Sequence, residues 1–149
     1  MKNYFFIKKI IIIYLLLFSA SFSNEANYFK EGKILFDKKN YDQSKILFQR
    51  DIVFNPKSEK SYLYLAKIFD QEDDTSEVEV NLNSVLLLNI ENEEALYMLA
   101  LLKIKQSDYL EAENLIKKFS LFCKALCSKK SEMKDKFEKL IPDNAKSNN

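Results

Sequence analysis

Apolar, small and aromatic positions recur along this chain with a fixed period of about 34 residues. Tyr28, Gly32, Ser44 and Phe48 return as Tyr62, Ala66, Val78 and Leu82, and again as Leu96, Ala100, Ala112 and Ile116. A period of that length marks a fold built from one small repeated unit rather than a single closed core. Three blocks, 25–58, 59–92 and 93–126, align without gaps. Within each block a large residue and a small one stand four apart, at Tyr28 and Gly32, Tyr62 and Ala66, Leu96 and Ala100. That offset puts both on one helix face. A second stripe runs from small to large, Ser44 to Phe48, Val78 to Leu82 and Ala112 to Ile116, and continues to Asp51, Val85 and Phe119. The stripes are complementary, so each block predicts two helices packed as a hairpin, the small residue of the first letting the second approach closely.

Capping supplies a signal that does not depend on hydrophobicity. Asn40, Asp74 and Asp108 stand just before the second helix of each block, with Gln43, Glu77 and Glu111 three residues later. This is the N-cap and N3 pattern of a capping box, which satisfies N–H groups that a first helical turn leaves orphaned. Each cap contributes about 1 kcal/mol. One glycine and two prolines among 149 residues leave few turn residues for β-hairpins. Pro56 falls between hairpins and Pro142 follows the last apolar turn, where proline ends helices. The chain reads as all-α.

These columns resemble the tetratricopeptide repeat, whose aromatic, small and proline positions are filled in the first block by Tyr28, Gly32, Leu35, Tyr41, Ser44, Phe48 and Pro56. The resemblance spans residues 25–126. It implies a short right-handed α-solenoid of three helix-turn-helix repeats that binds another protein and is not an enzyme. The sequence departs from the pattern at several points. Glu31 stands where Leu65 and Leu99 do, Asp51 replaces a small core residue, and Lys103 replaces Leu35 and Phe69. Ile90 and Lys124 replace Pro56. Terminal repeats tolerate polar substitutions because one side faces water. Past the third repeat, residues 127–141 carry Met133, Phe137, Leu140 and Ile141 at helical spacing among charges. They predict a helix capping the last repeat, or alternatively a docking helix for self-association. The polar stretch 142–149 reads as a disordered tail.

In proteins of that family the first helices of successive repeats line a concave surface. The resemblance therefore implies a partner-binding groove at Phe29, Lys33, Phe36, Leu63, Tyr64, Lys67, Tyr97, Met98 and Leu101. Apolar side chains gathered at a surface mark interaction sites, and aromatics with Met are favoured at interface centres. The implied ligand is an amphipathic helix or extended peptide with apolar anchors and an acidic group near Lys33 or Lys67. The alternative for Tyr64, Tyr97, Met98 and Leu101 is packing between repeats. The family's best-known mode clamps a terminal carboxylate with Lys and Asn at fixed groove positions. Phe29 stands at the first of these and Lys33 at the next, so that clamp is not reproduced.

Residues 1–23 combine Lys2, an apolar run from Ile10 to Phe18, and small residues Ser21 and Ser23 before a cut at Asn24. That is the layout of a secretory signal peptide. An uncleaved anchor is the alternative, although the run is short of the roughly 20 residues that cross a bilayer. Both place the repeats outside the cytoplasm, in the periplasm or anchored facing it. Without Lys2, Lys8 and Lys9, the 23 basic and 22 acidic side chains leave a net charge of −2. No basic face of the kind nucleic acid requires is visible. Asp70, Glu72, Asp73, Asp74, Glu77 and Glu79 make the second block acidic, either as a solvated turn or as a dock for a basic partner.

Candidate chemistry is sparse. Cys123 and Cys127 stand four apart, and bonding them requires the helix to bend near Lys124–Leu126. Zinc needs a fuller ligand set than two thiols. The absence of histidine removes the commonest general base, and one glycine cannot build a phosphate loop. Glu72, Asp73 and Asp74 lack the spacing of a calcium loop. No cofactor, metal or catalytic residue is expected. The reading is a non-enzymatic scaffold for a protein or peptide partner in the cell envelope. The alternatives are a self-associating component of an envelope machine, such as a flagellar motor or secretion system, stacked through its first repeat and the 131–141 helix, or an accessory small-ligand carrier.

Overall fold

The computed structural model describes residues 27–140; the expected leader 1–23, the last residue of the expected capping helix, Ile141, and the expected tail 142–149 lie outside the described residues. Seven helices occupy the described residues, with no strand among them: α1 Tyr28–Asp37, α2 Tyr41–Phe54, α3 Glu59–Gln71, α4 Thr75–Leu88, α5 Glu93–Lys105, α6 Tyr109–Phe122 and α7 Lys129–Leu140. Consecutive pairs form three hairpins, and α2 stacks on α3, α4 on α5 and α6 on α7. Also, α1 reaches α3 and α5 reaches α7, whereas no second helix touches another to that extent. First helices crowd together while second helices splay, so the stack curves with its first helices on the inner side.

The small-residue column performs the predicted task. Gly32, Ala66 and Ala100 are buried, facing the buried column Ser44, Val78 and Ala112. In the first hairpin the approach is close enough for Ser44 Oγ to donate to the Gly32 carbonyl at 2.8 Å. Phe48, Leu82 and Ile116 fill the next layer. The caps form as predicted, with Asn40, Asp74 and Asp108 accepting from the N–H groups of Gln43, Glu77 and Glu111. The reciprocal half of the box does not, because each cap residue's own N–H donates back to the preceding helix, at Leu35, Phe69 and Lys103. Each hairpin turn is thus a Schellman closure whose last residue begins the next helix. The geometry puts Lys39, Asp73 and Ser107 at φ 60°, 56° and 62°, a left-handed conformation that returns once in every repeat.

Two of the departures from the repeat pattern, Asp51 and Lys103, lie at junctions and carry their own partners. Asp51 is turned toward the second repeat, where its carboxylate accepts from the hydroxyls of Ser58 and Ser61. It therefore faces the junction between the first two repeats. Lys103 is also internal: it is 13% exposed, and its Nζ lies 2.6 Å from Glu79 Oε1. Glu79, one repeat after Lys45, also accepts from Gln106. At the previous junction Lys45 sits 5.2 Å from the Phe69 ring centre and 2.6 Å from Glu72 Oε1. The two junctions use the same three columns with charge reversed.

Glu59 and Glu93, a repeat apart, each reach forward to the loop that follows their own hairpin. Glu59 accepts from the side chains of Asn89 and Asn92. Glu93 accepts from the backbone N–H groups of Lys124, Ala125 and Leu126 at 2.6, 3.1 and 3.0 Å. Those bonds, Lys124 first, hold its carboxyl below the ordinary range. Cys123 and Cys127 are disulfide-bonded across this loop. The loop delays α7 to Lys129, two residues later than the sequence predicts, and the described helix ends at Leu140. Met133 stands one repeat after Leu99 and is fully buried, so α7 replaces the first helix of a fourth repeat. Its remaining surface carries Lys134, Asp135, Lys136, Glu138 and Lys139, all exposed, which suits a cap facing water.

Candidate partner groove

The inner face is built by α1, α3 and α5, and the sequence-predicted groove residues divide into two groups there. Phe29, Phe36 and Tyr64 form one aromatic cluster with the buried Phe48. The Tyr64 ring centre lies 5.7 Å from Phe29, 4.9 Å from Phe36 and 5.1 Å from Phe48, with Phe36 meeting it edge-on. This cluster joins the first repeat to the second. Leu63 is 8% exposed and belongs to the core. Tyr97, Met98 and Leu101 are half-buried on α5 and wall a cavity of about 240 Å³. Val78 and Leu102 form its floor, and Asp70, Asp73, Thr75 and Lys105 complete its lining.

The electrostatics differ from the sequence expectation. Lys33 Nζ is 2.6 Å from Asp37 Oδ2, a hydrogen bond that raises its pKa, with a smaller contribution from Tyr64. Lys67 Nζ is 2.8 Å from Glu94 Oε1 and 4.7 Å from the Tyr64 ring centre. Both groove lysines have a carboxylate partner within their own fold, each pair lying at the surface. At the cavity Lys105 approaches Asp73 only to 3.8 Å, and Asp70 has no ion-pair partner among the described residues. The surplus charge there is negative. Beyond Tyr97, whose hydroxyl donates to Glu132 at 3.5 Å, the Glu132 carboxyl is held down to about 2 by hydrogen bonds from Lys129 and Lys136.

No protein-family model matches the chain, and no curated protein matches it at a significant level. Solved structures do. The TPR2B domain of yeast Sti1, in a complex described as containing pHsp70, superposes with a TM-score of 0.70 at 14% identity, over 76% of this chain and 95% of that one. The first TPR of Spaghetti (RPAP3), bound to the HSP90 peptide SRMEEVD, gives 0.66 at 13% identity, over 76% and 90%. A tetratricopeptide repeat protein from Parabacteroides merdae gives 0.64 at 21% identity, over 79% of this chain and 51% of that one. The chain has the tetratricopeptide repeat fold. Within that solenoid, Asp70 is the groove residue the sequence reading missed. It stands one repeat after Phe36, and its place in an acidic run hid a position that the period alone assigns to the inner face.

Proposed function

We propose that this chain is a non-catalytic adaptor whose inner face holds a peptide or helix of a protein partner. The observation that carries the reading is the cavity walled by Tyr97, Met98 and Leu101, where α5 meets the turn between α3 and α4. Its 240 Å³ falls below the roughly 300–1,000 Å³ typical of small-molecule pockets. It suits one or two side chains of a peptide. The aliphatic floor with Asp70 and Asp73 at the rim favours an anchor that is apolar along its length and basic at its tip, in place of the acidic group expected from the lysines. That two fold neighbours are described with chaperone-derived ligands supports a peptide mode in general. The leader layout and the Cys123–Cys127 bond support an exported location in the envelope.

Photo-crosslinking tests this. A photoreactive phenylalanine analogue at Met98 or Leu101 is expected to trap a protein partner in cells, while the same analogue at Ser84 on a second helix traps none. Equal adducts from both faces, or none from Met98 and Leu101, would overturn the groove reading.

A further inference from the structure

One edge of the solenoid carries apolar side chains that no repeat uses for its own packing. Val53, Leu87 and Leu121 stand one repeat apart, each in the last turn of a second helix, and are 75, 88 and 78% exposed. Single exposed apolar residues are ordinary, but the same solvated position repeated along a solenoid makes a continuous strip. The helical neighbours three and four residues before each are Gln49 and Arg50, Asn83 and Ser84, Lys117 and Lys118, with no carboxylate among them. Phe54 and Ile90 are exposed beside the row, and Lys57 and Lys124 are exposed in the loops that follow. Two carboxylates pair with these cations: Glu113 lies 2.7 Å from Lys117, and Glu91 lies 3.8 Å from Lys124.

The N-terminal end of the solenoid lies at this edge. The edge is where each second helix passes the chain to the next first helix, so α1 also begins there. Tyr28 stacks on Phe54 with ring centres 5.5 Å apart. Asn27, the first described residue, therefore lies at the Val53 end of the row.

We infer that this edge rests on an anionic lipid surface, the apolar row entering the acyl boundary and the flanking cations meeting the headgroups. A second copy fits less well. A two-fold axis through Leu87 would set Val53 against the other copy's Leu121, bringing Arg50 and Lys57 onto Lys117 and Lys118, and like charges so placed repel. No helix of the described residues is long and apolar enough to cross a membrane, so the contact is peripheral. It leaves the inner face free, and it stands or falls independently of the groove.

Vesicle flotation tests the inference on the chain from Asn24 onward, whose helices bury the described core among themselves. Removing the leader excludes binding by its own apolar run. The chain is expected to float with phosphatidylcholine vesicles containing phosphatidylglycerol, to float less with phosphatidylcholine alone, and to be released by salt. Leu87→Asp and Leu121→Asp should each lower partitioning about tenfold while the melting temperature stays unchanged, because both side chains are solvated. Failure to float with either vesicle, or equal flotation of the variants, overturns the inference. A dimer that the same variants dissolve, without flotation, overturns it by assigning the row to a second copy.

Discussion

A methyl group added at Gly32 would meet the ring of Phe48. A Cβ built there lies 2.9 Å from Cε1 and 3.0 Å from Cδ1 of that ring, and 3.3 Å from Leu47 Cβ. The ring is fully buried, with Phe29 and Tyr64 centred 5.8 and 5.1 Å away, so it has little room to retreat. The later repeats carry alanine in this column opposite Leu82 and Ile116, whose branched chains end sooner than a phenyl ring. Helix propensity alone favours Gly32→Ala by about 1 kcal/mol, whereas overpacking a core costs about 1–3 kcal/mol. The steric cost should win, leaving the variant less stable by up to about 2 kcal/mol. Phe48→Leu alone leaves a space and costs on the order of 1–2 kcal/mol. The double variant recreates the Ala66–Leu82 pair, with the methyl occupying space that the ring vacates. Urea unfolding of the four proteins should therefore show a coupling of about 1–2 kcal/mol in favour of the pair. An additive cycle, or a Gly32→Ala variant stabilised by the full propensity gain, would refute the claim that this contact sets the hairpin spacing.

Three further outcomes are expected. Glu79→Gln replaces the carboxylate beside the half-buried Lys103 ammonium with a neutral acceptor and should cost roughly 1 kcal/mol, since Asp108 Oδ2 remains 3.9 Å from that ammonium. The Glu79 carboxyl is held below its ordinary value of 4.5, chiefly by the Lys103 hydrogen bond, so its contribution is present above that value and lost as pH falls through the depressed one. The variant's unfolding free energy should accordingly depend less on pH in that acid window than the parent's. Reducing Cys123–Cys127, which closes a short loop with sequence separation 4, should cost about 2 kcal/mol and raise hydrogen exchange in α7 before other helices; uniform exchange would contradict the assignment of the bond to the cap. Tyr64→Ala should cost roughly 3 kcal/mol as a core truncation, whereas Leu101→Ala should change stability less and weaken peptide capture more. Parity between the two in both assays would erase the division of the inner face.

The hairpins are legible in the sequence because their determinants are local. Large against small four residues apart, answered by small against large in the next helix, fixes a contact such as Gly32 with Ser44 and Phe48 inside a single repeat. Cap residues mark the helix starts for the same reason. The start of α7 was less legible, since the bend that delays it comes from Glu93, at the start of the preceding hairpin, accepting from Lys124, Ala125 and Leu126. Lys103 reads as a blemish until stacking places Glu79 beside it. The pairing of Lys33 with Asp37 and of Lys67 with Glu94, and the absence of an ion-pair partner for Asp70 among the described residues, depend on which helices stack and were not legible from the period. The edge row has the same period as the core columns, and periodicity alone does not separate a buried column from a solvated one.

The junctions explain how three similar hairpins hold one order. The hairpins share their internal columns, so a stack that skipped or exchanged a repeat would still satisfy each hairpin. The junction columns would not be satisfied. Asp51 meets Ser58 and Ser61 at the first junction, where the second has Val85 and Ala95. Lys45 faces Phe69 and Glu72, where the next repeat sets Glu79 against Lys103 and Gln106. Placing α5 on α2 would bring Lys103 against Lys45, with Gln106 where Glu72 had been, and would leave the Asp51 carboxylate facing Asn92 and Ala95 in place of two serine hydroxyls. Mismatching these half-exposed groups should cost on the order of 1–2 kcal/mol, a sizeable fraction of a small domain's stability. Restoring the first junction's chemistry at the second, with Glu79→Lys, Lys103→Phe and Gln106→Glu together, should preserve folding while removing the part of that discrimination that Lys45 carries and leaving the Asp51 part in place. Any one of the three changes alone should destabilise, because each leaves a charge that only its partners in the same junction can match.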